Sequence, residues 1–226
     1  MSARVAICFH LGYNNRFDAF TFYIDNVLQQ CPDADIYITY RENDDPSVKC
    51  HEKYPNAVIV KAINGCDTGA FLLQIKHILD SRKKYDYIFK IHTKSNNLVF
   101  NNWIHQLLDP IAGSHQNVHN VLELFRNDPE VGMIGGNPWV LKRDIYPTIF
   151  TEICQRNKIE MDGYFIGGTI FWIRFSIIED IFKNIDINYE YSLCEKGKPS
   201  EPSYTHSWER IFGLLVNTCG YRIQGI

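Results

Sequence analysis

Short apolar runs alternate with stretches of helical spacing along the first half of the chain. Arg4–His10 (RVAICFH) has the length and composition of a buried strand. Phe17–Gln30 places its apolar residues at helical intervals, and Cys31-Pro32 stops that helix. Asp35–Tyr40 (DIYITY) and Ala57–Ala62 (AVIVKA) predict two further strands, with a charged stretch between them that has room for a short helix. Ala70–Ser81 predicts a helix. Tyr85, Tyr87, Ile88, Phe89 and Ile91 then make a β-rich run that ends abruptly in the polar cluster up to Asn97. Strands that alternate with helices imply right-handed crossovers and a mainly parallel sheet with helices on its faces.

The second half is less regular. Asn101–Ala112, Val118–Arg126 and Ile145–Asn157 read as helices, and Val131–Ile134 as a short strand before Gly135-Gly136-Asn137-Pro138. Gly167-Gly168 opens a strand, Thr169–Arg174, and a helix follows from about Ser176 to Asn184. Glu190–Ser203 lacks periodicity and is rich in Glu, Lys, Pro, Gly and Ser, so it reads as a loop able to act as a lid. His206–Asn217 predicts a last helix and Tyr221–Gln224 a final strand. With no internal repeat or long linker, residues 1–226 read as one α/β domain.

A net charge of −3 argues against a nucleic-acid binder, whose affinity would come from clustered Lys and Arg. The seven cysteines are scattered and form no CxxC pair, so they read as core residues of a reducing compartment. Val5–Phe9 is too short for a signal-peptide core, and no apolar run approaches the ~20 residues of a membrane span. The expectation is a cytoplasmic protein, with peripheral membrane association left open.

The candidate chemistry gathers where the predicted strands end, which is where open α/β sheets bind ligands. Alternation puts Lys90, His92 and Lys94 on one face if the strand persists that far, and three cations there suit an anion such as a diphosphate. Asn64-Gly65-Cys66-Asp67-Thr68-Gly69 joins a strand to a helix at the same edge. Asp67 and Thr68 are placed to cap that helix, or Asn64 or Asp67 to bond a nucleotide's base or ribose. The loop is neither GxGxxG nor GxxxxGK[ST], which weighs against dehydrogenase and P-loop readings. His10 closes the first strand, with Tyr13 beyond it as a stacking candidate. In Ser203–Phe212 (SYTHSWERIF), Glu209 is a candidate general base three residues after His206, unless it serves the helix N-terminus. Asp162 is the competing carboxylate.

Taken together, NGCDTGAFL (Asn64–Leu72), YDYIFKIHTKS (Tyr85–Ser95), Trp103, GGTIFWIR (Gly167–Arg174) and HSWERIF (His206–Phe212) resemble the rhamnan synthesis F family of glycosyltransferases. The resemblance follows nearly the whole chain in order. It implies a GT-A-like fold: a Rossmann-like sheet with a nucleotide-sugar-binding half over roughly residues 1–95 and an acceptor and catalytic half over roughly 96–226. It implies transfer of a sugar, rhamnose being the family's, from a nucleotide-diphosphate donor to a glycan acceptor, and inversion at the transferred carbon. The alternative is a non-catalytic glycan-binding or scaffold domain that keeps the fold. By the resemblance, Asp67 falls where such folds contact the nucleoside, and Glu209 where inverting members place their base. His92-Thr93-Lys94 falls where many such folds carry an Asp-x-Asp metal motif. A Lys repels a cation, so the expectation is that Lys94, with Lys90 or His92, replaces the metal at the departing diphosphate. His92 as a ligand and Thr93 as an oxygen donor leave Mn²⁺ or Mg²⁺ open as a cofactor.

Overall fold

The computed structural model describes residues 3–41, 45–95, 98–142, 147–197 and 199–226. Its elements follow the predicted alternation: β1 (Val5–Leu11), α1 (Phe17–Gln30), β2 (Asp35–Tyr40), α2 (Ser47–Lys53), β3 (Val58–Lys61), α3 (Cys66–Asp80) and β4 (Tyr87–His92). There follow α4 (Leu98–Ala112), α5 (His115–Asn127), β5 (Val131–Gly135), β6 (Val140–Lys142), α6 (Thr148–Asn157), β7 (Tyr164–Ile166), β8 (Phe171–Arg174), α7 (Phe175–Phe182), α8 (Ile187–Leu193), α9 (Tyr204–Thr218) and β9 (Arg222–Gly225). The predicted helix start at residues 145–146 lies outside the described residues.

Seven strands form one sheet in the order β3-β2-β1-β4-β8-β5-β9. All run parallel except β8, which is antiparallel to both β4 and β5. The mainly parallel α/β sheet expected from the sequence is therefore present. Adjacent residues of β8 face opposite helical layers, as strand alternation requires. Phe171 meets Phe71 of α3 at 5.8 Å between ring centroids and Phe212 of α9 at 6.4 Å. Trp172, on the other face, stacks on Phe89 at 4.8 Å and donates its indole N–H to the Ile111 carbonyl of α4. Trp172 is thus core.

Two elements depart from the sequence reading. Glu190 opens no loop: it sits inside α8, buried, where its carboxylate takes a bidentate pair from Arg156 and a bond from the Trp208 indole. A buried carboxylate with these partners holds α8 against α6 and α9. The hairpin of β6 and β7 is the second departure. Each strand has three residues, too few for alternation to register.

Among the described residues, no helix is long and apolar enough to cross a membrane.

Candidate active site

Strands β2, β1 and β4 run parallel, so their carboxyl ends share one edge of the sheet. There Thr39, His10 and His92 are register partners in neighbouring strands. His10 is buried, with Nδ1 3.1 Å from the Thr39 hydroxyl. Beyond it the chain turns over Gly12. A side chain on Gly12 would come within 3.3 Å of His10 Nε2, and the Tyr13 N–H donates to the Thr93 hydroxyl at 2.9 Å. These ends form the floor of a cleft of about 320 Å³.

The loop before α3 is folded back on the first turn of its own helix. Gly65 has φ +69°, and a Cβ on Gly69 would lie 2.4 Å from the Asn64 carbonyl. Only glycine tolerates both demands. Helix α3 starts at Cys66, four residues earlier than its apolar spacing indicated, and Gly65 caps it without a side-chain bond. Asp67 and Thr68 are therefore not the caps expected of them. Asp67 instead turns inward, where Oδ2 accepts from Lys90 Nζ at 3.0 Å and from the Thr169 hydroxyl.

Lys90 corrects the expectation of three cations on one wall. The strand ends at His92, and Lys90 is only 1% exposed and does not line the cleft. Its ammonium is used up internally, on Asp67, on the Thr169 carbonyl at 2.7 Å and on His92 Nδ1 at 3.3 Å. Alternation puts Lys90 on the same face as His92 but two residues further back along β4, where α3 and the Gly168-Thr169 turn cover it. His92, Thr93 and Lys94 do line the cleft, and Lys94 Nζ lies 4.6 Å from the centre of the Trp103 ring.

Burial sets the charges. It would raise the Asp67 carboxyl, but His92, Lys90, Lys94 and the Thr169 bond hold it well below the usual carboxylate range. Since burial also pushes the His92 ring well below an ordinary histidine, that ring is neutral at pH 7. The ion pair that keeps Asp67 ionised is therefore the one with Lys90. Burial likewise lowers His10, to about 4.

Opposite this floor stand the Gly168-Thr169 turn and the start of α9. Gly168 (φ +84°) and Thr169 (φ +51°) are both left-handed, a conformation a β-branched residue rarely adopts. The turn points the Gly168 N–H at Glu209, whose Oε1 accepts it at 2.8 Å. Ser203 caps α9 through the His206 N–H, and its hydroxyl is 2.7 Å from His206 Nδ1. Glu209 and His206 both line the cleft. Glu209 is thus not the N-terminal partner of a capping box.

Two predicted site residues lie elsewhere. Asp162 lies on the exposed approach to β7, paired with Lys142 at 2.8 Å, and is not part of the cleft wall. Asn64 fastens the loop to α8 and the segment after it, through Tyr191 and a bridge to Lys196. It too is absent from the cleft lining. The segment expected to serve as a lid reaches the cleft at Pro199 and is tied to the body, since Glu195 accepts from the Tyr204 and Thr205 N–H groups. Sequence reading missed Arg41, Cys66 and Thr169 on the cleft wall. Arg41 directly follows a strand of the parallel sheet, so the strand-end rule that found His10 would have found it. Nothing local marks Thr169.

Magnesium and manganese ions need several oxygen ligands. The two carboxylates on this wall are each engaged, Asp67 by Lys90 and Thr169 and Glu209 by Gly168, and Lys94 stands beside them. Among the described residues no group of three His, Cys, Asp or Glu side chains could hold a metal ion. The described residues of this wall do not fit a divalent ion.

The family model for rhamnan synthesis protein F matches residues 1–221. The chain belongs to this family. No curated protein sequence matches it. Among solved structures it is similar to a mannosyltransferase from Pyrobaculum calidifontis in complex with GDP-Man and Mn²⁺, at 12% identity and a TM-score of 0.51 over 100% of this chain and 55% of that one. It is also similar to residues 1–349 of S. aureus TarS in complex with UDP-GlcNAc, at 8% identity and a TM-score of 0.44 over 91% of this chain and 53% of that one. The rhamnan synthesis F chain thus spans about half the length of both, and the first likeness shows that it has the glycosyltransferase fold.

Proposed function

We propose that this chain is a glycosyltransferase that moves a sugar, rhamnose by its family, from a nucleotide-diphosphate donor to a glycan hydroxyl. One observation carries the reading: a carboxylate held by a backbone N–H, Glu209, shares a cleft at the strand ends with the ammonium of Lys94. The Pyrobaculum mannosyltransferase of this fold is described with a nucleotide sugar, which supports a donor of that class here.

Glu209 takes the proton of the acceptor hydroxyl as that oxygen attacks the anomeric carbon from the face opposite the diphosphate, and the sugar inverts. The bond from that carbon to the diphosphate oxygen breaks, and the leaving group gains negative charge. Lys94 meets that charge in a site partly withdrawn from water, where preorganised charges act most strongly. No step requires a divalent ion. His206, oriented by Ser203, lines the same cleft as Glu209.

The test is a panel of UDP-, dTDP- and GDP-sugars scored for thermal stabilisation and for slow hydrolysis in EDTA. Stabilisation and hydrolysis by one donor support the reading. Binding of oligosaccharide with no response to any nucleotide sugar would identify a glycan-binding module instead.

A further inference from the structure

His92 has one polar atom that the protein leaves unpaired. Its Nε2 is buried and has no hydrogen-bond partner, and His92 is one of the residues that line the cleft. Buried polar atoms nearly always have partners, and an exception calls for an explanation, which beside a cleft a bound occupant can supply. What Nε2 offers an occupant depends on where the single proton of the neutral ring resides.

Lys90 decides that question. An ammonium group has three protons and no lone pair. Its three contacts therefore all run outward, to the Thr169 carbonyl at 2.7 Å, Asp67 Oδ2 at 3.0 Å and His92 Nδ1 at 3.3 Å. A proton on Nδ1 would face the ammonium head-on. Asp67 Oδ2 also lies 3.3 Å from Nδ1, but it already accepts from both Lys90 and Thr169. We infer that Lys90 is a positioning residue that fixes His92 as the Nε2–H tautomer, so that the cleft floor presents a neutral hydrogen-bond donor to an oxygen of a diphosphate.

The charged groups around the ring are consistent with this. Burial, the strongest influence, keeps the ring neutral; Asp67 on α3 opposes it, and Lys94, Lys90 and His10 act with it. A protonated Nε2 has no lone pair for a cation, so this atom can serve an anion but not a metal ion. It sets a neutral donor in a cleft that Lys94 and Arg41 also line. The diphosphate part of this inference rests on the nucleotide-sugar reading above; the tautomer does not.

Long-range proton–nitrogen spectra of the wild-type protein at pH 7 without ligand read the tautomer directly. The expected pattern is Nε2–H, and an Nδ1–H or doubly protonated ring overturns the inference. Titration with inorganic diphosphate in EDTA then tests the role. His92→Gln, whose amide nitrogen falls near Nε2, should bind within about threefold of wild type, and His92→Phe about tenfold more weakly, the worth of one hydrogen bond to a charged group. Lys90→Met paired with Asp67→Asn, which keeps the buried charge balanced, should show a mixed tautomer and a similar loss. If that pair does not fold, the wild-type spectrum and the His92 variants still decide. An Nδ1–H tautomer with diphosphate bound rejects this inference alone. The Nε2–H tautomer with no diphosphate binding rejects the donor site and the transferase reading together.

Discussion

The N–H of Gly168 donates to Glu209 Oε1 at 2.8 Å. This bond joins the turn before β8, the antiparallel strand of the seven-stranded sheet, to the second turn of α9, and it fixes the carboxylate against the cleft. Glu209→Gln can keep that bond through its amide oxygen while losing the ability to take a proton. Removal of a general base typically costs about 10²–10⁴-fold in rate. The expected outcome is that loss in kcat with donor affinity little changed, read by steady-state transfer and by calorimetry. Near-normal turnover would move the base to His206 or imply a retaining mechanism.

Gly168 itself is held between two constraints. Its φ of +84° is left-handed, and a Cβ there would lie 2.6 Å from Trp103 Cζ2. Gly168→Ala should destabilise the fold by about 2–4 kcal/mol through strain and overpacking. It should also lower transfer more than tenfold, because the N–H that holds Glu209 must shift. A thermal melt beside a rate assay reads both effects. A variant with unaltered transfer would show that the bond to Glu209 does not matter for the chemistry.

Asp67 and Lys90 form the most deeply covered ion pair near the cleft, with side chains 18% and 1% exposed. Asp67→Asn leaves the Lys90 ammonium buried without its counterion, and loss of one partner of such a pair costs about 3–5 kcal/mol. Adding Lys90→Met should recover a large part of that loss. Urea denaturation of the two single variants and the double variant measures the coupling, and simple additivity would mean that the pair is not a unit.

Acid should destabilise the protein through its buried histidines. His10 titrates near 4 in the folded state because of burial, against 6.5 when exposed. Between those values the unfolded chain binds a proton that the folded one refuses, so stability falls as pH drops from about 6.5 towards 4. The slope is about 1.4 kcal/mol per pH unit for one such group, on the order of 3 kcal/mol in all. His10→Gln should reduce the slope by up to one proton in urea unfolding at several pH values. An unchanged slope would mean that His10 is charged in the folded protein.

Lys94→Met removes the cation that lines the cleft just beyond β4 while keeping a flexible stem against Trp103. Loss of a group that stabilises developing charge is expected to cost about 10²-fold in kcat. Exhaustive EDTA should leave the wild-type rate unchanged. A strict requirement for Mn²⁺ would overturn the metal-free account.

The sequence by itself determined most of the alternation of strands and helices, though not α8 or the β6-β7 hairpin, along with the mainly parallel sheet and the strand-end edge where the cleft lies, because apolar periodicity and strand-end placement are local properties. It found His10, His92, Thr93, Lys94, His206 and Glu209, all of which the fold brings to one cleft. Tertiary structure decided the rest. Alternation along β4 is legible, but not which neighbour covers the face it points to, so Lys90 read as a surface cation when α3 and the Thr169 turn bury it. Asp162 and Asn64 carry suitable side chains in suitable loops, yet their positions depend on Lys142 and on α8, far away in the chain. A charge is defined by its surroundings, and those are assembled only when distant segments pack.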